Sequence, residues 1–288
     1  MYKNFSELKT RSTSTLVVAA AHDEHTLQAI QMAERELSTK SILIGNSEKI
    51  KSIAFDLKME LDSIIHAETD EDSAKIAVKT VREAGGVLVK GLLETPTLLR
   101  AVLDKENGIR DSATMSHAAI LEIPGYHKLV TVTDGGMCAI PTYEQKIDII
   151  NNTTKLYRRL GFNSAKVAVL AASESVNPKI PESIDADNLR KHCEAGNFGG
   201  CIVEGPLSFD LAVSQEAAKI KNFKSQVSGD VDILLVPGVA AGNILCKGLI
   251  HWGGAKMAGA VLGAKVPIVL VSRAAEAEEK LLSIAICL

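Results

Sequence analysis

Aromatic residues are scarce. They make up 4% of the 288 residues, with a single Trp, while 46% of the chain is apolar. Any core must therefore be aliphatic, built from Ala, Val, Ile and Leu, and there is enough of it to exclude a disordered chain. No charge of one sign dominates: 32 basic residues face 35 acidic ones, for a net charge of −3. Without a Lys/Arg block, a nucleic-acid partner has no electrostatic footprint. No long hydrophobic run exists either. The most apolar stretch, Met257 to Val271, is broken by Lys265 and Pro267, whereas a membrane span needs roughly 20 apolar residues. The run Leu16 to Ala21 is too short for a signal peptide and meets His22-Asp23-Glu24.

Five cysteines, Cys138, Cys193, Cys201, Cys246 and Cys287, are scattered without a CxxC pair. That argues against a zinc site or a disulfide framework and fits buried free thiols in a reducing cytoplasm. The dinucleotide fingerprint GxGxxG, the P-loop, the GxSxG elbow and HExxH are all missing. No carboxylate cluster suggests a metal. There is no tandem repeat and no linker rich in Pro, Gly or Ser.

What is present is an alternation. Short Val/Ile/Leu runs at 15–20, 41–45, 62–66, 87–90, 129–133, 166–171, 201–203, 232–236 and 267–272 predict strands buried on both faces, as in a parallel sheet. Amphipathic segments separate them. Glu144–Leu160 sets Ile147, Ile150, Tyr157 and Leu160 on roughly one face. The pattern predicts an α/β fold. The length exceeds that of one ordinary domain, so two lobes are expected. The crossing falls near Arg110–Pro124, where periodicity breaks, and the return near Leu262–Val266. The expected first lobe is 1–114 with 262–288, and the second is 115–261.

Ligands of open α/β sheets bind beyond the carboxyl ends of strands. Six segments there carry polar residues and glycines. In 232–248, a strand runs into Pro237-Gly238, and Gly242-Asn243 then reads as a helix opening with Lys247 one turn on. An anion site and a plain Asn243 N-cap are both compatible with it. In 203–210, Gly205-Pro206 forces a turn, and Asp210 could bind a ligand or cap the next helix. Lys90 ends a strand, where a solvated lysine is the ordinary reading. Ser272-Arg273 separates the last strand from the last helix, and the Arg fork suits phosphate or an oxyanion. Thr133-Asp134-Gly-Gly-Met137 reads as a polar turn, solvated or ligand-binding. Ser116-His117 adds a hydroxyl and an imidazole that is more often structural than catalytic.

Taken in order, Val89-Lys-Gly91, Met115-Ser-His117, Thr133-Asp134, Lys146 to Asn152, Glu204-Gly-Pro-Leu207 with Asp210, Gly242-Asn243 with Lys247, and Ser272-Arg273 resemble the phosphate acetyl/butyryltransferase family. The resemblance runs from roughly Thr15 to Ala285, with the butyryltransferase branch the nearer one. It implies a two-lobed fold like that of isocitrate and isopropylmalate dehydrogenases, with an interlobe cleft. It implies an enzyme that reversibly converts a short-chain acyl-CoA, butyryl-CoA first, plus phosphate into acyl phosphate plus CoA. No tightly bound cofactor and no metal are implied. CoA, acyl-CoA, phosphate and acyl phosphate are the small-molecule partners, a homodimer or larger assembly the form, and an acyl-phosphate kinase the pathway neighbour.

The same resemblance makes Ser272 and Arg273 phosphate-binding and oxyanion-stabilising, and puts Glu279 where a thiol base is proposed. It links Arg100 to CoA, and Lys90, Ser116, Thr133, Asp134, Gly205, Pro206, Asp210, Gly242, Asn243 and Lys247 to substrate binding. The cysteines are poor nucleophile candidates, since no His/Asn arrangement can be set beside one. Two alternatives remain beside phosphate acetyltransferase activity. A metal- and NAD-dependent dehydrogenase would need acidic ligands and an adenine loop. A non-catalytic acyl-CoA or acyl-phosphate binding module would not need all of Ser272, Arg273, Asn243 and Lys247.

Overall fold

The computed structural model describes residues 1–8, 12–272 and 275–288. The chain packs into two compact units: Phe5–Asp111 with Met257–Leu288, and Met1–Asn4 with Ser112–Lys256.

The first unit opens with a 3-10 turn, Phe5–Leu8, and then alternates strand and helix. Its elements are β1 (Thr15–Ala19), α1 (Glu24–Leu37), β2 (Lys40–Gly45), α2 (Ser47–Asp56), β3 (Ile64–His66), α3 (Asp70–Ala84), β4 (Val87–Lys90) and α4 (Thr95–Val102). The strands are wholly apolar where they are central, as at Leu16–Ala19 and Val87–Val89. Each starting helix has a chemical signal. Asp23, Asn46 and Thr69 cap α1, α2 and α3 by accepting the N–H groups of Thr26, Lys49 and Asp72. Pro96 opens α4, where a missing N–H costs nothing.

The second unit holds β5 (Ser116–Glu122), β6 (Val130–Thr133), α5 (Tyr143–Arg159), β7 (Ala165–Leu170), α6 (Pro181–Glu194), β8 (Cys201–Leu207), α7 (Phe209–Val213), α8 (Gln215–Ile220), β9 (Ile233–Leu235) and α9 (Val239–His251). Its strands lie in the order β5-β6-β9-β7-β8, with β5 antiparallel to β6 and the rest parallel. Ile149, Ile150, Tyr157, Val167, Val169, Leu189, Ile233 and Leu235 form one buried cluster over this sheet. Each such aliphatic side chain contributes about 1.5–3 kcal/mol. The phenol of Tyr157 donates to the Asp232 carbonyl at 2.6 Å, so its polar tip is satisfied inside the core. A capping box joins Thr142 and Gln145 at the start of α5.

The chain then supplies β10 (Lys256–Leu262), β11 (Ile268–Val269) and α10 (Ala277–Ala285). They complete the first unit's order, β3-β2-β1-β4-β11-β10, in which only the β10–β11 pair is antiparallel. The α/β reading therefore holds as a mixed sheet architecture rather than a purely parallel one. Two strands escape the sequence reading, β5 and β10. β5 opens on Ser116-His117 and β10 is broken by Gly259, and both lie in antiparallel pairs outside the strand–helix alternation. β8 also runs four residues past the expected Val203, because Gly205 and Pro206 belong to the strand instead of ending it. β8 is the last strand of its unit's order, where a residue without an N–H is tolerated.

Among the described residues, no helix is long and apolar enough to cross a membrane. Among them, too, no group of three or more His, Cys, Asp or Glu side chains is placed to hold a metal ion.

Candidate active site

In the second unit, the turn after β6 is the most constrained polar segment. Asp134 is 1% exposed. Its Oδ1 accepts the N–H groups of Gly136 at 2.7 Å and Met137 at 2.8 Å, and its Oδ2 accepts that of His117 at 3.1 Å. Thr133 donates its hydroxyl to the His117 carbonyl at 2.9 Å. The reading of this turn as solvated is overturned: the carboxylate is turned inward and shapes the loop. Burial holds the His117 imidazole below its ordinary pKa, and the Asp134 charge opposes this without reversing it. The ring is neutral, and its Nδ1 has no hydrogen-bond partner among the described residues. Ser116 is fully buried and accepts the side-chain amide of Asn152 at 3.3 Å, while Asn152 also donates to the Thr114 carbonyl.

The backbone of this turn meets the start of α9 closely, Gly135 against Gly242. A Cβ on Gly242 would lie 2.6 Å from the Gly135 Cα and 2.8 Å from the Val236 side chain. Glycine at 242 is therefore a packing requirement. Gly242-Asn243 does not open the helix, as the sequence reading had it. The helix begins at Val239 with Gly238 in the cap position, because Pro237-Gly238 makes the turn. Asn243 then falls in the second turn, exposed, with exposed Lys247 one turn further along.

Gly205 and Pro206 are buried; a Cβ at Gly205 would meet Val169 Cβ at 2.8 Å and Ala186 Cβ at 3.1 Å. Ser208, not Asp210, holds the cap position of α7. Asp210 lies inside the first turn of α7, half-exposed, and pairs with Lys221 at 2.9 Å. Hydrogen bonding from Ser208 and Lys221 holds its carboxyl down at about 2.

In the first unit, Lys90 ends β4 and is 3% exposed, so the solvated reading fails. Its ammonium donates to the Gly91 carbonyl at 3.1 Å. Gly91 is pressed against β1, where a Cβ would lie 2.3 Å from the Ala20 carbonyl oxygen. Arg100 is exposed on α4 and donates to the Thr97 hydroxyl at 3.2 Å. It lines a groove of about 650 Å³ between α3 and α4, with Lys75, Lys79 and Arg82 around it and Val78 and Ala101 as apolar wall. Sequence reasoning missed these three cations. Their spacing of four and three residues places them on one helix face.

Ser272 follows β11, is exposed, and accepts the Ala275 N–H at 3.1 Å. Arg273, named with it, lies outside the described residues. Glu279 sits half-buried in the first turn of α10. Its carbonyl accepts the Ser283 hydroxyl, which in turn accepts the Gly259 N–H at 2.9 Å. The next residue, Lys280, is buried, with its ammonium 2.8 Å from the Thr26 hydroxyl and 3.3 Å from Asp23 Oδ1. This internal pairing fixes the first turn of α10 on α1. Sequence reasoning passed over it because a lone Lys in a helix reads as solvated.

Burial raises the thiols of Cys138 and Cys201 to about 12 and that of Cys246 to about 11. These three remain protonated thiols near neutral pH, which suits inert core cysteines and not nucleophiles.

The signature of the phosphate acetyl/butaryl transferase family matches residues 67–288. The phosphate butyryltransferase of Clostridium acetobutylicum is 37% identical over 99% of this chain and 97% of its own. The phosphate acetyltransferase of Thermotoga maritima is 40% identical over 94% of this chain and 93% of its own. Among solved structures, a branched-chain phosphotransacylase from Enterococcus faecalis superposes with a TM-score of 0.83. It is 32% identical and covers 95% of this chain and 97% of that one. The chain belongs to the phosphate acetyl/butyryl transferase family.

Proposed function

We propose that this protein is a phosphate acyltransferase that reversibly converts a short-chain acyl-CoA, butyryl-CoA first, and phosphate into an acyl phosphate and CoA. The observation that carries the reading is the likeness to a butyryltransferase along nearly the whole of both chains. A comparable likeness to an acetyltransferase makes acetyl-CoA the second reading. One methylene in an apolar pocket is worth only about 1–3 kcal/mol of discrimination. Hence the acyl group is a question for kinetics. The fold we propose is of the isocitrate/isopropylmalate dehydrogenase type, and the working form a cytoplasmic homodimer or larger assembly.

Thioesters and acyl phosphates are both activated, so direct attack within a ternary complex suffices. Holding the two substrates in line can supply roughly 7–11 kcal/mol of the barrier. Arg100 would bind CoA, with Lys75, Lys79 and Arg82 adding positive charge along the same groove. Ser272 and Arg273 would hold the phosphate and the developing oxyanion. Glu279 would take the CoA thiol proton, whose unperturbed pKa of ~8.5 leaves little thiolate at neutral pH. Gly242, Asn243 and Lys247 would shape the acyl-phosphate pocket, with Asp134 acting through the turn it organises. Lys90 would add a buried positive charge at the end of β4. Gly205-Pro206 and Asp210 would act through the shape of the β8–α7 corner. No metal and no tightly bound cofactor enter this scheme. The acyl phosphate product retains phosphoryl-transfer potential, so a kinase using it to phosphorylate a nucleoside diphosphate is the fitting neighbour.

The test is thiol release from acetyl-CoA, propionyl-CoA, butyryl-CoA and isobutyryl-CoA, each with and without phosphate. Phosphate-dependent release is expected, with kcat/KM highest for butyryl-CoA. A folded protein that binds CoA but releases no thiol from any of them would instead be a binding module.

A further inference from the structure

A second set of reactive side chains lies at the carboxyl ends of β2 and β3. Register pairs Gly45 with His66 across these parallel strands. The chain turns at once into α2, so Ser47, two residues past β2, meets the imidazole that ends β3. Ser47 Oγ is 2.9 Å from His66 Nδ1. The Ser47 backbone N–H also points at Nδ1, at 3.3 Å. A backbone N–H can only donate, so Nδ1 carries the lone pair and the ring proton sits on Nε2. Nε2–H donates to Glu68 Oε1 at 3.0 Å. The result is a hydroxyl that shares the one Nδ1 lone pair with its own backbone N–H, the imidazole that carries it, and a carboxylate that fixes the tautomer. That is the relation of nucleophile, base and orienting group.

Two further features favour reaction at Ser47. It lies in the first turn of the ten-residue α2, where the helix dipole stabilises developing negative charge. The site is also open: 47% of the His66 side chain is exposed, so a small activated molecule can reach it. The trio shares no residue with the groups assigned above to CoA or phosphate.

We infer that Ser47, with His66 and Glu68, is a covalent acylation site that takes an acyl group from an activated donor, an acyl phosphate or an acyl thioester. Ser47 Oγ attacks the carbonyl carbon, and an ester C–O bond forms. The bond from that carbon to the phosphate oxygen, or to sulfur, breaks with its electron pair. The hydroxyl proton passes to His66 Nδ1, and the imidazolium is held by Glu68. The proton then leaves with phosphate or thiolate, and no oxidant or reductant takes part. The natural donors are those of the proposed transferase activity and rest on that reading. The chemistry at Ser47 is tested with donors supplied directly.

The whole protein is incubated with acetyl phosphate, and separately with acetyl-CoA without phosphate, and analysed by intact mass and peptide mapping. One acetyl increment on the peptide holding Ser47 is expected from at least one donor. Ser47→Ala should abolish it. His66→Gln should slow its formation by about 10²-fold, the low end of what a positioned base supplies. Glu68→Gln should slow it less. Phosphate-dependent thiol release should be unchanged in all three variants. Label confined to lysines, or a Ser47 ester formed as fast in His66→Gln as in wild type, would overturn the inference. A loss of melting temperature in His66→Gln, with no acetyl on Ser47 in the wild type, would mean that His66 only caps α2. Loss of thiol release in wild type with Ser47 still labelled would count against the transferase reading alone.

Discussion

Replacing Arg273 by alanine should lower kcat by about 10²–10³-fold, the loss that follows removal of one oxyanion-stabilising donor. Arg273 itself lies outside the described residues. Of its described neighbours, Ser272 is exposed after β11, and the Ser272 carbonyl accepts the Ala275 N–H. In the proposed mechanism, charge builds on the carbonyl oxygen as phosphate or thiolate adds, and a planar guanidinium would meet it with two donors. Arg273→Lys keeps the charge and loses the fork, so it should fall between wild type and alanine. The measurement is kcat and the KM for phosphate for the three proteins side by side. A kcat near wild type in Arg273→Ala would remove the residue from the site.

A large stability effect should come from Asp134→Ala. The carboxylate is almost wholly buried and accepts three backbone N–H groups. Truncation removes the acceptor of three part-buried N–H groups, at up to about 1–3 kcal/mol each where water does not replace it. A net loss of about 3 kcal/mol or more is expected, a large part of the 5–15 kcal/mol that holds an ordinary protein together. For a chain of this size, the melting temperature should fall on the order of 10 °C. Asp134→Asn keeps an acceptor oxygen and should lose less. Because Gly135 packs on Gly242, a loosened turn also frees the start of α9, so thiol release should fall with stability. An alanine variant that melts with wild type would show that the turn is held by other contacts.

The sequence announces much of this molecule because central parallel strands advertise themselves. Val87–Val89 and Ile233–Leu235 are continuous apolar runs, as strands buried on both faces require. β5 and β10 carry no such signal. Ser116-His117 open β5, so its apolar run is only Ala118–Leu121, and Gly259 breaks β10; the antiparallel partners of both are set by tertiary pairing. Candidate site residues were legible as types at strand ends, but their orientation was not. Asp-Gly-Gly reads as a solvated turn until the Asp134 side chain is seen inside it. Asn243 reads as a cap until Gly238 takes that place. Lys90 and Lys280 read as solvated until their burial is known. The Ser47–His66 pair was beyond reach altogether, since 19 residues separate the two and only the β2–β3 register joins them.

The central claim is direct acyl transfer between CoA and phosphate, with both held at once. It is tested most directly by initial rates with acyl-CoA and phosphate varied together. Direct attack predicts lines that intersect in the double-reciprocal plot, unchanged in Ser47→Ala. Parallel lines would mean that an acyl-enzyme forms before phosphate binds, and a rate independent of phosphate would mean that phosphate is not the acceptor. Either result would contradict the account.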